Sequence, residues 1–273
     1  MLGMATSQVM QMPGVDLQLV MTLLLQYFVA SLRIGAFLLS APLFGARWLP
    51  LQVRVIMAFS MGAAVVGLTP TMDVNMLTSS TGIVLIFTEI AVGLTAGLTL
   101  TIWFAAMLMA GEKIATSAGL GFAAQVDPMT GANTPVVSQV LYLFLLVIFL
   151  SVDGHLIAIA TMIESYRILP PGSPVAPNVL IGAGISAAGS MFLSAAIIML
   201  PIAMVLLMIN VTVGIISRSA PTLNLFSFGF PITMLGTFIV LYFSISNLGF
   251  AFSDLIDSSL DHLMTTIESL KNG

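Results

Sequence analysis

The chain has 273 residues, of which 59% are hydrophobic and only 7% are charged, and its formal net charge is −4. Soluble domains carry about a quarter charged residues, so this composition indicates an integral membrane protein. The acidic balance excludes the basic surface that nucleic-acid binding requires. The sequence contains no cysteine and only two histidines, which lie far apart, so we expect neither a metal site nor a bound cofactor.

A series of long apolar runs predicts an all-α membrane protein with about six apolar helical segments, some of them kinked or broken. The runs cover residues 17–44, 55–68, 83–110, 136–163, 180–216 and 231–252. The fourth run continues past Asp153 in this interpretation. The fifth run contains Pro201, which is expected to kink or break a helix, so two half-helices are one possible outcome.

Two ionisable residues lie inside apolar runs, Arg33 in the first run and Glu89 in the third. Charges at such positions are costly and often functional, but a buried ion pair that joins two helices is the simpler interpretation. The third run also has Gly93 and Gly97 at a spacing that favours close contact between helices. An alternative function is a small-solute transporter or channel with Arg33 and Glu89 forming a midplane site.

Asp153 and His155 have the side chains of acid–base catalysts. However, no third partner stands at a recognisable spacing, and the sequence lacks a nucleophile elbow, a phosphate-binding glycine loop and an HExxH motif. We therefore expect both residues to cap a helix turn or to face water, and we expect no enzymatic activity. A membrane-embedded hydrolase that uses these two residues is a third functional hypothesis.

Residues 111–131, GEKIATSAGLGFAAQVDPMTG, separate two apolar runs. Connections between packed helices usually need only a few residues, so this stretch is long enough to have a structure of its own. Its glycines permit positive φ, and Pro128 favours extended backbone at Asp127. The composition leaves two alternatives open, which are an ordered loop tucked among helices and a solvated loop with a Pro-Gly turn.

The C-terminal residues 253–271 have the pattern of an amphipathic helix. Apolar residues recur at spacings of four and three, at Ile256, Leu260, Leu263, Ile267 and Leu270. The interleaved charges are almost all acidic, which argues against docking on an anionic membrane surface. We expect a partner protein or the chain itself to cover the apolar stripe. The sequence thus predicts a membrane-embedded helical domain of residues 1–252 and an amphipathic tail of residues 253–273.

A second irregular stretch, residues 214–231, has the sequence GIISRSAPTLNLFSFGFP. It resembles the signature of the flagellar biosynthetic protein FliR family, which includes the equivalent inner-membrane subunit of type III secretion systems. The matching positions are Arg218, Pro221, Asn224, Phe226, Gly229 and Pro231. Residues 111–131 provide a second match, and Arg33-Ile-Gly35 with Pro50-x-x-x-Arg54 is also similar to the family. The resemblance extends to residue 252, whereas the tail matches no motif.

The resemblance implies a non-enzymatic subunit of the flagellar type III protein export gate, located in the bacterial inner membrane at the flagellar basal body. In that family one such subunit joins the flagellar export proteins FliP and FliQ in a helical ring around a pore for unfolded substrates. Many of the family's apolar helices are buried against these partners and lie partly outside the bilayer plane, and membrane lipid is a further expected contact. The loop that matches residues 111–131 plugs the pore from inside. Pore-plug roles are thereby implied for Glu112, Lys113, Gly119, Leu120, Gly121, Phe122, Gln125, Asp127, Pro128 and Gly131.

Assembly or structural roles are expected for a second set of residues, Arg33, Glu89, Arg218, Pro221, Asn224, Phe226, Gly229 and Pro231. A plug of apolar and small residues would close by packing and by dewetting. Glu112 and Lys113 are expected to anchor the entry to the loop through charge-assisted contacts. Arg218 is expected to bind carbonyl groups at a broken helix end, within a buried polar cluster.

Overall fold

The structure, a computed structural model, describes residues 17–70, 79–119, 135–219 and 229–272, and in these ranges it is all-α. The described residues form seven α-helices in chain order, namely α1 (Leu17–Ser40), α2 (Leu51–Val65), α3 (Ser80–Ser117), α4 (Val136–Ser151), α5 (Gly154–Ile168), α6 (Pro177–Ser219) and α7 (Phe230–Asn272). A short 3-10 helix, Val66–Leu68, extends α2. The predicted fold class is confirmed.

The helices have the length and composition of membrane spans. Among the described residues, α1, α2 with its 3-10 extension, α3, α6 and α7 each qualify, and α4 and α5 qualify as one pair bent by 67°. The chain is therefore a multi-pass membrane protein. Three helices are longer than a membrane span requires, because α3 has 38 residues and α6 and α7 have 43 each. At 1.5 Å per residue they are about 57–65 Å long, roughly twice the thickness of the hydrocarbon core.

The fifth apolar run forms one continuous helix, so of the outcomes expected at Pro201 the break into two half-helices does not occur. Helix α6 passes through Pro201 without interruption. Proline removes a single main-chain donor and crowds one carbonyl of the preceding turn. Membrane helices tolerate this loss where neighbouring groups or local adjustments satisfy the freed carbonyl. The apolar residues on both sides of Pro201 are numerous enough to propagate the helix in each direction.

The fourth apolar run forms two helices, α4 and α5, which are bent by 67° at Asp153. Asp153 separates α4 from α5 and has a φ of 56°, a conformation that Asp adopts more readily than most residues. Its carbonyl accepts hydrogen bonds from the amides of Leu156 and Ile157, at 2.9 and 3.1 Å, and so starts α5. The ring of Phe149 packs against Gly154 at the bend. Asp153 is exposed and lies at the turn between the two helices, so the expectation that it marks a helix turn is confirmed.

The described residues divide into two compact units, each with its own core. The first unit draws on Met1–Leu98, Ile159–Ala183 and Leu263–Gly273, and the second on Thr99–Ala158 and Gly184–His262. The four helices α3, α5, α6 and α7 contribute residues to both units. Buried side chains in the first unit include Phe37 and Leu38, and those in the second include Phe104 and Leu145.

The amphipathic tail is the C-terminal part of α7, which runs without a break from Phe230 to Asn272. All five residues of the predicted stripe are buried, namely Ile256, Leu260, Leu263, Ile267 and Leu270, and the acidic residues among them are exposed. In the first unit, Leu270 packs with Val92 and Leu169. The predicted amphipathic helix is thus confirmed, and the chain itself covers the stripe. The division into domains at residue 252 stays a prediction.

Candidate functional site

Arg33 and Glu89 form a buried ion pair with two hydrogen bonds in the first unit. The Arg33 Nε donates to Glu89 Oε2 at 2.8 Å, and Nη2 donates to Oε1 at 3.0 Å. The two side chains are 0% and 2% exposed. Bidentate contacts between arginine and a carboxylate are among the strongest hydrogen-bonded pairs in proteins. The interpretation of these residues as a buried ion pair between two helices is confirmed.

The remaining N–H groups of Arg33 bind the C-terminal end of α5. Its Nη1 donates to the main-chain oxygen and the hydroxyl of Ser165, at 3.0 and 3.1 Å, and Nη2 donates to the Leu169 carbonyl at 2.9 Å. The Leu169 carbonyl follows the last residue of α5, where carbonyls lack donors within the helix, whereas the Ser165 carbonyl also accepts the Leu169 amide at 2.8 Å. The Tyr166 ring lies 4.4 Å from the guanidinium carbon, and its hydroxyl donates to the Ala30 carbonyl at 2.6 Å. All five guanidinium N–H groups are therefore bound.

The pair lies beside a close helix–helix contact in the first unit. A Cβ atom added at Gly93 would come within 2.9 Å of the Ala36 Cβ, and one added at Gly97 within 2.8 Å of the Phe37 carbonyl oxygen. Both distances are too short for ordinary packing, so only glycine allows α1 and α3 to approach this closely. Gly93 follows Glu89 by one helical turn. The predicted close contact through the Gly-x-x-x-Gly spacing is confirmed.

In the second unit, the end of α3 meets the beginning of α7. Gly119 has a φ of 79°, and a Cβ added there would lie 3.7 Å from the Phe230 ring. The Thr233 hydroxyl donates to the Ala118 carbonyl at 3.3 Å. The Asn210 side chain of α6 donates to the Ser117 carbonyl at 2.8 Å. These contacts bind carbonyls that the end of α3 leaves without intrahelical donors. We call Ser117, Ala118, Gly119, Asn210, Phe230 and Thr233 the junction.

The junction lies next to two segments that are outside the described residues. Residues 120–134 follow Gly119 directly, and residues 220–228 end directly before Gly229. Gly229 is buried, and Pro231 lies exposed in the first turn of α7, where a missing N–H costs no helical hydrogen bond. Further along, Gly111 of α3 packs on Ser138 of α4, whose Cα would lie 2.5 Å from an added Cβ. The residues on both sides of segment 120–134 are thus held in the second unit.

Comparison with known proteins gives the family. A profile of the family described as bacterial export proteins, family 1, matches residues 24–259. The chain belongs to this family. The flagellar biosynthetic protein FliR of Escherichia coli (strain K12) is 33% identical over 210 residues, which cover 76% of this chain and 79% of that protein. FliR of Aquifex aeolicus (strain VF5) is 30% identical over 233 residues, which cover 84% and 86%.

A further relative, FliR of Pectobacterium carotovorum subsp. carotovorum, is 33% identical over 210 residues, which cover 77% of this chain and 80% of that protein. The family match includes the Arg33–Glu89 pair and every residue of the junction. It ends at residue 259, so of the five stripe residues it includes only Ile256. The bacterial export family therefore accounts for nearly all of the described structure.

Two expectations about charged residues in this export protein need correction. Helix α3 continues to Ser117, so Glu112 and Lys113 belong to a helix instead of an irregular loop, and both side chains are exposed. Alanine, glutamate and lysine are good helix formers, which explains the extension. Arg218 is exposed in the last turn of α6 and does not lie in a buried polar cluster. A cation near a helix C-terminus is favourable because it complements the helix dipole.

The other predicted site residues of the export protein lie outside the described residues. They are Leu120, Gly121, Phe122, Gln125, Asp127, Pro128, Gly131, Pro221, Asn224 and Phe226. Their plug and assembly roles stay predictions. Within the described ranges, no group of three or more histidine, aspartate or glutamate side chains could hold a metal ion.

Sequence reasoning missed a polar cluster on α3, α6 and α7 of the second unit. The Trp103 Nε1 donates to His262 Nδ1 at 3.0 Å, and His262 Nε2 lies 3.2 Å from the Ser186 hydroxyl. Because an indole N–H can only donate, Nδ1 must be the accepting nitrogen and carries no proton. The contact therefore requires neutral histidine with its proton on Nε2. Only the rarity of tryptophan and histidine in the sequence could have drawn attention to these residues.

Proposed function

We propose that this chain is a non-enzymatic subunit of the flagellar type III protein export gate, in the bacterial inner membrane at the flagellar basal body. It lines and plugs the pore through which unfolded flagellar proteins pass, and it assembles with the export proteins FliP and FliQ. Membership of the bacterial export proteins, family 1, is the observation that carries the proposal. The relatives named flagellar biosynthetic protein FliR support a flagellar role.

The junction supports a plug formed by residues 120–134. Its hydrogen bonds, from Thr233 to Ala118 and from Asn210 to Ser117, hold the residues that precede this segment. A neutral hydrogen bond contributes about 0.5–1.5 kcal/mol to stability. Such contacts can therefore hold the residues before the segment in place and can also break. A plug anchored at its flanks can seal by packing apolar residues and can open without dissociating from the complex.

The exposed apolar faces of α6 and α7 support assembly with other proteins. The large exposed side chains on α6 include Ile185, Phe192, Leu193, Ile197, Leu200, Met204, Leu207, Met208, Val211 and Ile215. This face continues for most of a helix of 43 residues. Because such a helix is about 65 Å long, a hydrocarbon core of about 30 Å would leave much of it uncovered even at a tilt of 40°. Partner helices can cover the remainder.

The geometry disfavours the alternative of a small-solute transporter with a site at Arg33 and Glu89. Every guanidinium N–H of Arg33 already binds an acceptor, and both side chains are buried. A solute would have to displace contacts that close the end of α5. The pair therefore fits a structural role in assembly. The hydrolase hypothesis gains no support either, because Asp153 is an exposed residue at a helix bend.

Deleting residues 120–125 tests the plug. In cells that carry the altered chain as their only copy, we expect increased membrane conductance and sensitivity to small molecules. Deletion of residues 72–77 is the matched control, since it shortens a different connection by the same amount. The complex is recovered in detergent in each case and probed for FliP and FliQ. If the deletion variant forms the complex in normal yield and the membrane does not leak, residues 120–125 do not plug the pore. If neither FliP nor FliQ is recovered with the chain, the proposed assembly is wrong.

A further inference from the structure

The side chain of His262 connects α7 to two other helices of the second unit. Its Nδ1 accepts a hydrogen bond from the Trp103 Nε1 of α3 at 3.0 Å, and its Nε2 lies 3.2 Å from the Ser186 hydroxyl of α6. By contrast, the hydroxyls of Ser253 and Ser259 donate to main-chain oxygens within α7. We call Trp103, Ser186 and His262 the histidine cluster, in which one imidazole ring joins three helices.

The members of the histidine cluster differ in burial. Trp103 is only 7% exposed, whereas His262 is half-buried and Ser186 is exposed. The indole N–H therefore needs an acceptor within the protein, and protons from water can reach the imidazole. A Cβ added at Gly189, one turn after Ser186 on α6, would meet no described atom within 4 Å. Tight packing on that turn thus does not reinforce the polar contact at Ser186.

The tautomer of His262 excludes a catalytic pairing with Ser186. Because the indole N–H of Trp103 can only donate, the Nδ1 of His262 is unprotonated and the proton of the neutral ring is on Nε2, the nitrogen that faces the serine hydroxyl. A histidine that activates a serine needs an unprotonated nitrogen at that position. The ring is instead an acceptor that binds the indole only in its neutral form.

Protonation of His262 removes this acceptor. The charged ring carries a proton on each nitrogen, so two N–H donors then face each other at the Trp103 contact. A buried donor without an acceptor is unfavourable. The contact is therefore complete at a pH above the range in which histidine titrates, about 6.5, and it is lost as the pH falls through lower values.

The helices that contact the ring supply no charge to compensate for its protonation. On α3 the sequence has no ionisable residue between Glu89 and Glu112, and on α6 it has none before Arg218. On α7 itself, Asp257 and Asp261 are near the ring in sequence, and both are exposed. No carboxylate of α3 or α6 is thus placed to hold the protonated ring in the cluster.

We propose that the histidine cluster is a proton-sensitive switch within the second unit. Neutral His262 holds the surrounding part of α7 against α3 and α6, and protonated His262 loosens it. The apolar side chains of Leu255 and Ile256 are buried in either case, so α7 stays helical while the contact opens. The switch depends on these three helices alone and does not rest on the export role.

The sequence contains no cysteine, so a single introduced thiol can report the loosening of α7. Ser259 is fully buried one helical turn before His262, and Ser253 is exposed on the same helix. In the purified full-length chain, the rate of modification by a maleimide is measured for Ser259→Cys and for Ser253→Cys, at a pH of about 8 and about 5.5. The ratio of the two rates at the same pH corrects for the effect of pH on the thiol chemistry.

We expect the rate for Ser259→Cys, relative to that for Ser253→Cys, to rise roughly tenfold at the lower pH, because the loss of a hydrogen bond by a buried donor is worth about this factor. His262→Asn has an oxygen near the Nδ1 position and does not titrate, so it should keep the low ratio at both pH values. His262→Lys only donates and stays charged, so it should give the high ratio at both.

His155→Gln is the matched control, because His155 is the other histidine of the sequence. This variant should retain the full dependence on pH. Thermal unfolding at the higher pH checks that each variant is folded, and the asparagine and glutamine variants decide the outcome if His262→Lys does not fold. The proposal is overturned if the ratio is independent of pH in the chain with both histidines, if the change persists in His262→Asn, or if His155→Gln abolishes it.

Discussion

Arg33 and Glu89 lie 56 residues apart in the sequence, yet two hydrogen bonds of 2.8 and 3.0 Å join them in the first unit. The same guanidinium group binds the carbonyls of Ser165 and Leu169, more than 130 residues further along the chain. One side chain thus connects α1, α3 and the end of α5. A buried charge is tolerated only when it is paired with an opposite charge and fully hydrogen-bonded. Removal of either Arg33 or Glu89 should therefore lower the free energy of unfolding.

The first prediction concerns this pair. Arg33→Ala should destabilise the protein by about 3–5 kcal/mol, because it leaves the Glu89 carboxylate buried without its partner. Thermal unfolding in detergent and the yield of folded chain measure the effect. Arg33→Met combined with Glu89→Leu should recover part of the loss, since it removes both charges.

Arg167→Gln is the control for the loss of one arginine. Arg167 forms an exposed pair with Glu164, in which the side chains are 63% and 48% exposed. Exposed pairs contribute about 0–1 kcal/mol, so this change should have little effect on unfolding. Equal destabilisation by Arg33→Ala and Arg167→Gln would show that the buried pair has no special structural role.

The second prediction concerns the close approach of α1 and α3. Gly97→Leu should separate the two helices, because an added Cβ already comes within 2.8 Å of the Phe37 carbonyl oxygen and 2.9 Å of the Ala41 nitrogen. Overpacking of this kind typically costs about 1–3 kcal/mol. The control is Gly189→Leu, where an added Cβ meets nothing within 4 Å. If both variants unfold at the same temperature, the Gly-x-x-x-Gly contact does not support the fold.

The helices and the ion pair could be predicted from the sequence, because each follows from a strong local signal. Apolar runs of sufficient length must be helical in a membrane. Two isolated opposite charges in such runs are expected to form an ion pair. The contacts of Arg33 with Ser165 and Leu169 could not be predicted. They depend on which helix end packs against α1, and no local pattern encodes that choice.

The predictions from sequence were wrong where a residue that disfavours helix lies inside a helix that nevertheless continues. Pro201 suggested a break, but one lost hydrogen bond is small beside the packing of a helix of 43 residues. Gly111 suggested a loop, whereas it serves the close approach to Ser138. Arg218 was expected in a buried polar cluster, but it is exposed in the last turn of α6.

The third prediction concerns the junction. Gly119→Val should impair sealing, because the φ of 79° is strained for a β-branched residue. The nearest atom of Phe230 would lie 3.7 Å from an added Cβ, so space is not the obstacle. Gly119→Asn is the matched control, since asparagine tolerates positive φ. Membrane conductance distinguishes the two variants. Similar leakage with valine and asparagine would mean that the backbone conformation at residue 119 is unimportant.

The fourth prediction concerns Trp103 and His262. Protonated histidine has donors on both ring nitrogens, so it cannot accept the indole N–H bond of 3.0 Å. Lowering the pH from about 8 to about 5 should therefore change Trp103 fluorescence. Trp48→Phe removes the second tryptophan from the signal. His262→Asn places an oxygen near the Nδ1 position and does not titrate, so it should abolish the change. If the fluorescence change persists in His262→Asn, a group other than His262 causes it.

The last prediction concerns the amphipathic end of α7. Leu263→Asp should reduce recovery of the complex and cell motility, because Leu263 is fully buried and an unpaired carboxylate cannot be buried without a large cost. Met264→Asp is the control, since the neighbouring side chain is 48% exposed and can carry a charge into solvent. Membrane insertion should be normal in both variants, because the longest apolar part of α7 precedes residue 253. Normal assembly with Leu263→Asp would show that the buried stripe is dispensable.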